Sequence, residues 1–434
     1  MPIQSSLLRS FLLLALVLLA WGTFLPAVAS AQGIYLQASG AINRGMGGAT
    51  TGTAVDAIGS MYWNPATISQ LPTDELAFGF ESIYVNYNLS STLPGAGSGS
   101  SDGEIGVTPV PTISWVHQTN NPYLTFGLGV SGVAGFSTNF RADPNNPILG
   151  PPLGTGGTGV GGMKSEAMFF QIAPAWSVRM TDRLSIAAGP AIGLAKITFD
   201  DNAFVGVNAN NLYPRGDGSR YHWGLGAQLG VHYIHDCCWE FGASFKTPTW
   251  YEKFRYFSED AAGLPRTDQL DIDLPMIVSG GVAFRGWEHA LITLDARYFD
   301  YTTSEGFGDS ATYRADGSVD GLGWNDVFSV ATGVQLQLTQ NLVGRMGYIY
   351  STDTIDDEHT FINIASPLDY QHILSTGASY DLNENATLSA AYSYFFEYGS
   401  TGPYVVPGTG AIPGSSVTTK LDVHILTLGV NVRY

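Results

Sequence analysis

Cysteine is nearly absent: the 434 residues hold only Cys237 and Cys238, side by side. Neighbouring cysteines pair only through a strained ring, so no disulfide framework organises this chain. His232, His235 and Asp236 nearby match no zinc-ligand spacing, and neither a metal nor a cofactor is expected. Charge is scarce too, at 13% of residues, and basic charge is scarcest, with 19 Lys and Arg against 37 Asp and Glu for a net −18. A surface so poor in cations has no face with which to neutralise phosphates, which excludes nucleic acid as a partner. Disorder is excluded by a 44% hydrophobic content that includes 22 Tyr, 22 Phe and 9 Trp. Beyond residue 31 there is no apolar run of helical spanning length, so any membrane crossing is made without helices.

What the first 31 residues contain is a leader. Arg9 precedes the run FLLLALVLLA at 11–20, and Ala29, Ser30 and Ala31 place small residues before Gln32. This pattern is a cleavable secretory signal peptide, and its core is too short for a membrane anchor. The expected mature chain is 32–434, and loss of Arg9 takes its charge to −19.

From Glu75 onward the chain falls into stretches of alternating apolar residues separated by Gly, Asn, Asp and Pro clusters, the period-two pattern of strands. In 221–235, Tyr221, Trp223, Leu225, Ala227, Leu229, Val231 and Tyr233 share one face, while His222, Gly224, Gly226, Gln228, Gly230 and His232 share the other. An apolar face that begins and ends on aromatics suits a strand crossing both interfaces of a bilayer. Fourteen such segments follow one another: 75–89, 109–118, 123–134, 166–180, 184–199, 221–235, 239–253, 270–284, 290–301, 326–338, 342–351, 370–380, 386–398 and 419–434. Short connections around Asn120, Asp182, Asp236, Gly286, Gln340 and Asn383 alternate with long ones, the arrangement of an outer-membrane barrel. An open sheet would expose unpaired backbone groups to lipid, so the strands must close into a ring. The expected fold is all-β, a transmembrane antiparallel β-barrel of about 14 strands at 74–434. A ring of that size has a lumen too wide for its own side chains to fill.

Segment 32–73 is the candidate plug, rich in small residues: Gly40, Ala41, Gly45, Gly47, Gly48, Ala49, Gly52, Ala54, Ala57 and Gly59. Locally, Asn64-Pro65-Ala66 reads as a short helix start capped by Asn64, with Pro65 at its first position. The run GGATTGTAVDAIGSMYWNPATISQLPTDEL, with Gly48-Ala49, Asp56-Ala57 and Asn64-Pro65-Ala66, resembles the N-terminal hatch of the long-chain fatty-acid transporter family of FadL/TodX type (OmpP1-like). Leu274-Pro275, Leu294-Asp295 with Tyr298, Gly333, and Arg345-Met346-Gly347-Tyr348 resemble further landmarks of that family, so the likeness spans nearly the whole mature chain. Asp295 and Arg345 are placed on the lumen face as a pair.

The resemblance implies uptake of hydrophobic molecules, either long-chain fatty acids or aromatic and aliphatic hydrocarbons. Capture is expected in an extracellular apolar groove and release sideways through a kink in the third strand. The hatch residues concerned are Asp56, Asn64, Pro65 and Ala66. Clustered glycines at 127, 129, 132 and 135 mark a bend in the third strand, and the lateral opening is placed at Gly132, Val133, Gly135 and Phe136. Groove and pocket candidates are Phe140, Lys196, Phe199, Phe204, Tyr213, Phe254 and Phe257, with Ile148, Leu149, Leu212 and Tyr256 beside them. Family carriers of fatty acids are similar in using basic residues near the end of the fifth strand for the carboxylate; this chain keeps Lys196 but has Phe199 where an Arg is expected. Expected partners are the hydrophobic ligand, outer-membrane lipid and the assembly machinery that reads the terminal Tyr434, for a protein acting as a monomer in a Gram-negative outer membrane. No spacing singles out a nucleophile and its base, so no enzyme is expected. The alternatives are a general diffusion porin and a structural or adhesive barrel.

Overall fold

The computed structural model describes residues 32–210, 212–216, 220–259, 264–368 and 370–434; the expected leader at 1–31 lies outside the described residues. Fourteen strands close a single antiparallel barrel. In chain order they are β1 (Glu75–Leu93), β2 (Val107–Gln118), β3 (Leu124–Phe140), β4 (Met163–Arg179), β5 (Leu184–Asp200), β6 (His222–Ile234) and β7 (Trp239–Lys246). The second half comprises β8 (Met276–Phe284), β9 (Ala290–Asp300), β10 (Val327–Gln337), β11 (Leu342–Ser351), β12 (His372–Asp381), β13 (Ala386–Tyr398) and β14 (Ser416–Arg433). Closure is made by β1 against β14, from Glu75↔Arg433 to Thr92↔Ser416.

Alternation along each strand separates lipid-facing from lumen-facing side chains. On β6, Trp223, Leu225 and Leu229 are 56%, 60% and 48% exposed while His222, Gln228 and His232 are buried. Two strands are shorter than their hydrophobic pattern suggests, one at its end and one at its start, and proline is the reason in both. β7 stops at Lys246 before Thr247-Pro248, and Trp250–Tyr251 pairs back onto β6. β8 starts only after Leu274-Pro275, because proline has no N–H for the ladder.

Inside the ring sit helix α1 (Ala41–Gly45), helix α2 (Ala57–Trp63) and a 3₁₀ turn (Pro65–Gln70), nearly all buried. Asp56 caps α2 by accepting from the Gly59 N–H at 2.8 Å, and the Asn64 side chain accepts from the Ala66 N–H ahead of Pro65. The barrel wall makes room for this segment with glycine. A Cβ on Gly347 would stand 2.1 Å from the Gly47 nitrogen, and one on Gly242 would stand 1.9 Å from the Thr51 oxygen. Backbone of wall and plug therefore touch directly, which explains much of the glycine content.

Candidate functional site

Charged side chains fasten the plug to the wall. Arg44 pairs with Glu81 at 2.5 Å, and Glu81 also accepts from the Gly40 N–H at 3.0 Å. On β9, Asp295 accepts from the Thr51 N–H at 2.9 Å and from Arg297 at 2.7 Å; Arg297 also donates to the Gly48 carbonyl and lies 3.7 Å from the centre of the Trp63 ring. Asp295 and Arg345 both face the lumen, but the partner of Asp295 is Arg297, two residues along the same face, while Arg345 donates to Gln335 and Ser379. The Asn64 amide donates to Thr51 and Val231 carbonyls at 2.8 and 2.9 Å, so Asn64 both caps its own turn and joins the plug to β6.

The wall itself is interrupted beside β3. β2 and β3 pair from Gln118↔Thr125 to Thr112↔Ser131 and no further. Above that point β2 continues on β1 alone, and β3 continues on β4 alone. Two features of local chemistry place the break. Pro109 and Pro111 remove two donors from the upper half of β2. On β3 the register shifts between Gly132 and Ala134, so Val133 is the extra residue of a bulge and the strand bends away. The freed groups of β3 are taken up from inside by segment 34–36: Leu36 N–H donates to the Val133 carbonyl at 2.8 Å, and Gly135 N–H to the Ile34 carbonyl at 3.2 Å.

An apolar cleft with about 970 Å³ of empty space fills the break, lined by Ile34, Leu36, Val110, Gly132, Phe136 and Phe170 among others. A second hollow, with about 1470 Å³, lies under the long loops, walled by Phe199, Phe204, Tyr213, Tyr313, Phe361 and Tyr404. Aromatic rings link the two. Phe136 of the cleft stands 6.2 Å from Phe199 of the hollow, and Phe199 stands 5.0 Å from Phe204. Asp201 is the acid at the rim of this hollow; partial withdrawal from water, with Asp200 beside it, pushes its carboxyl up to about 6.

Of the groove candidates read from the sequence, Phe199, Phe204, Tyr213 and Leu212 line the outer hollow. The others go elsewhere. Phe140 packs edge-on against Tyr87 at 4.8 Å among Ile148 and Leu149, in a separate apolar cluster. Phe254 and Tyr256 are buried, with Phe254 4.8 Å from the His222 ring, and Phe257 is 66% exposed. Lys196 is a correction: on β5 it shares the outward face with Leu194, opposite Ala195, Ile197 and Phe199, so strand alternation turns it away from the lumen.

Besides Arg44, Arg297 and Arg345, a lysine faces inward that the sequence pattern did not single out. Lys246, at the end of β7, is buried, and its Nζ donates to the Tyr35 hydroxyl at 2.8 Å. The rings of Tyr35, Tyr62 and Trp63 surround it at 5.1, 4.9 and 5.3 Å. No carboxylate pairs with it among the described residues. Gln228, directly across the ladder on β6, has both amide atoms unpartnered, and Tyr251, which lines the same small cavity as Lys246, has an unpartnered hydroxyl. Burying an ammonium without a counter-charge is expensive, so this is a polar niche in an otherwise apolar lumen. Period two places Lys246 on the Gln228 face, but only the fold brings three plug aromatics to it.

A closed β-ring, stoppered by its own N-terminal segment and breached sideways by an apolar cleft, defines a plugged transport barrel of the outer membrane. The sequence matches the profile of the outer membrane protein transport family (OMPP1/FadL/TodX) over residues 22–434, and the chain belongs to that family of transporters of hydrophobic compounds. Its fold is similar to the P. putida toluene transporter TodX, at TM-score 0.68 and 16% identity over 92% of this chain and 99% of that one. A Pseudomonas aeruginosa FadL homologue gives 0.69 and 14%, and the Ralstonia pickettii toluene transporter TbuX 0.64 and 14%, each over 92% of this chain and 99% of its own. No curated protein matches it in sequence.

Proposed function

We propose that this protein takes up long-chain fatty acids or aromatic and aliphatic hydrocarbons, capturing them in the outer hollow and releasing them sideways through the break beside β3. The observation that carries the reading is the end of β2–β3 pairing at Thr112↔Ser131, with an apolar cleft in the gap. An apolar solute gains about 25 cal/mol for each Å² it buries, and a sideways exit spares it a return to water. The rings of Phe136, Phe199 and Phe204 mark the route from hollow to cleft. Segment 34–36 stands between the cleft and the lumen, so the plug must shift locally for a ligand to pass, with Asp56 and Asn64 to Ala66 holding the rest in place. Ile34 and Leu36 face the cleft while Tyr35 faces Lys246. That ammonium is where an acidic headgroup would be received, in the role the sequence reading assigned to Lys196. The molecule acts as a monomer within lipid, and the exposed terminal Tyr434 is the mark read by the assembly machinery.

The test compares uptake of a radiolabelled long-chain fatty acid, toluene and a small sugar in cells lacking their own carrier. Gly132→Leu is the accompanying variant: its Cβ would stand 2.5 Å from a Val110 methyl across the gap and 3.8 Å from the Phe170 ring, so the side chain fills the break. Saturable uptake of a hydrophobic compound without sugar flux, lost in Gly132→Leu while the barrel still assembles, is expected. Sugar flux alone would make it a porin, and full uptake by assembled Gly132→Leu would end the lateral route.

A further inference from the structure

The turn 235–238 between β6 and β7 carries both cysteines. Along a strand, neighbouring side chains point to opposite faces, yet here the Sγ atoms of Cys237 and Cys238 lie 3.1 Å apart as free thiols, Cys237 exposed and Cys238 half-buried. A carboxylate oxygen of Asp236 completes a group whose ligand atoms all fall within 4.8 Å of one another. The turn is pinned from within and from both sides. Asp236 Oδ1 accepts the N–H groups of Cys238 and Trp239 at 2.8 and 2.9 Å. Arg183 from the β4–β5 turn donates to the His235 carbonyl at 3.0 Å, and the Arg285 N–H from the β8–β9 turn donates to the Cys238 carbonyl at 2.7 Å.

We infer that this turn is a binding site for a thiophilic divalent cation of the zinc type, held by the thiolates of Cys237 and Cys238 with the Asp236 carboxylate as third ligand. Two thiolates on one tetrahedral ion at about 2.3 Å each sit roughly 3.8 Å apart, so the thiols need separate by well under an ångström from where they stand. Two sulfurs and one oxygen select a soft or borderline ion over calcium or magnesium. Because the thiolates are the ligands, binding expels protons and strengthens as pH rises. The site adjoins the plug anchor: the Arg285 guanidinium bonds Glu240, Thr53 Oγ1 and the Ala54 carbonyl.

Full-length protein, purified in detergent under reducing conditions, is titrated with Cd²⁺ while thiolate-to-cadmium charge-transfer absorption is recorded, followed by competition with Zn²⁺. Expected are one ion per chain, displacement by Zn²⁺ and affinity lower by about tenfold or more in Cys237→Ser and Cys238→Ser, with a smaller loss in Asp236→Asn. Heat-dependent migration on gels confirms that each variant is a folded barrel. Absence of the absorption band, or stoichiometric binding that survives Cys237→Ser/Cys238→Ser, overturns the inference. So does finding, by alkylation of intact outer membranes, that the pair is oxidised in place.

Discussion

Replacing Lys246 by Met separates recognition of an acidic headgroup from recognition of apolar bulk. The side chains are similar in length, so the packing of Tyr35, Tyr62 and Trp63 around the site is retained. Removing a buried ammonium recovers a desolvation cost of several kcal/mol, set against ring attractions of about 0.5–2 kcal/mol each and the single bond to the Tyr35 hydroxyl. The variant barrel should therefore be as stable as its parent or more so. A carboxylate that replaces the Tyr35 hydroxyl gains a charge-assisted hydrogen bond of about 1.5–3 kcal/mol, which is roughly 10- to 150-fold in affinity. Binding of a fluorescent long-chain fatty acid to purified protein is expected to weaken by that factor in Lys246→Met, whereas toluene, measured by displacement, changes by less than about threefold. The reasoning is refuted by a folded Lys246→Met barrel whose fatty-acid affinity stays within threefold of the parent. It is equally refuted if toluene and fatty acid weaken together, since the lysine would then serve packing alone.

The plug anchors and the outer hollow give three more. Asp295→Ala strands the Arg297 guanidinium without its carboxylate, a loss of about 3–5 kcal/mol when one partner of a buried pair is removed; the loosened plug should let small sugars leak through the barrel in a liposome-swelling assay, and an unchanged, sugar-tight barrel would show that the pair does not hold the plug. Gly347→Val puts a side chain where the Gly47 nitrogen stands; it should raise sugar leakage by displacing the plug, while the same change at Gly280, whose Cβ meets nothing within 4 Å, should not. Asp201 has its carboxyl raised from 3.8 to about 6. Such a group favours the folded hollow while protonated, fully so below 3.8, and that contribution is lost as pH rises through about 6. Thermal stability of the purified barrel should therefore be higher at about pH 5 than at about pH 7.5, and Asp201→Asn should reduce that difference; a difference unchanged in Asp201→Asn would place its origin elsewhere.

Strand number and facing were legible in the residue order because both depend on local alternation. Each of the fourteen predicted segments overlaps a strand of the ring, and the outward set on β6 is the set that period two assigns. The requirement for closure followed from the cost of unpaired backbone in lipid, and the small-residue stretch ahead of β1 had the composition to fill a lumen. Asn64 and Pro65 announced their own turn. Other features depend on contacts between residues far apart in the chain. The glycines of β3 marked a bend, but the opening beside it arises because Pro109 and Pro111 on β2 leave that strand short of donors where the Val133 bulge carries β3 away. Asp295 found Arg297 rather than Arg345, since an ion pair is decided by distance in the fold. Lys196 looked basic and well placed along the chain, yet alternation on β5 turns it outward, while Lys246 became the lumen's isolated ammonium once Tyr35, Tyr62 and Trp63 folded back over it. Periodicity along one strand sets which way a side chain points; what it meets there is set by the neighbouring strands and by the plug.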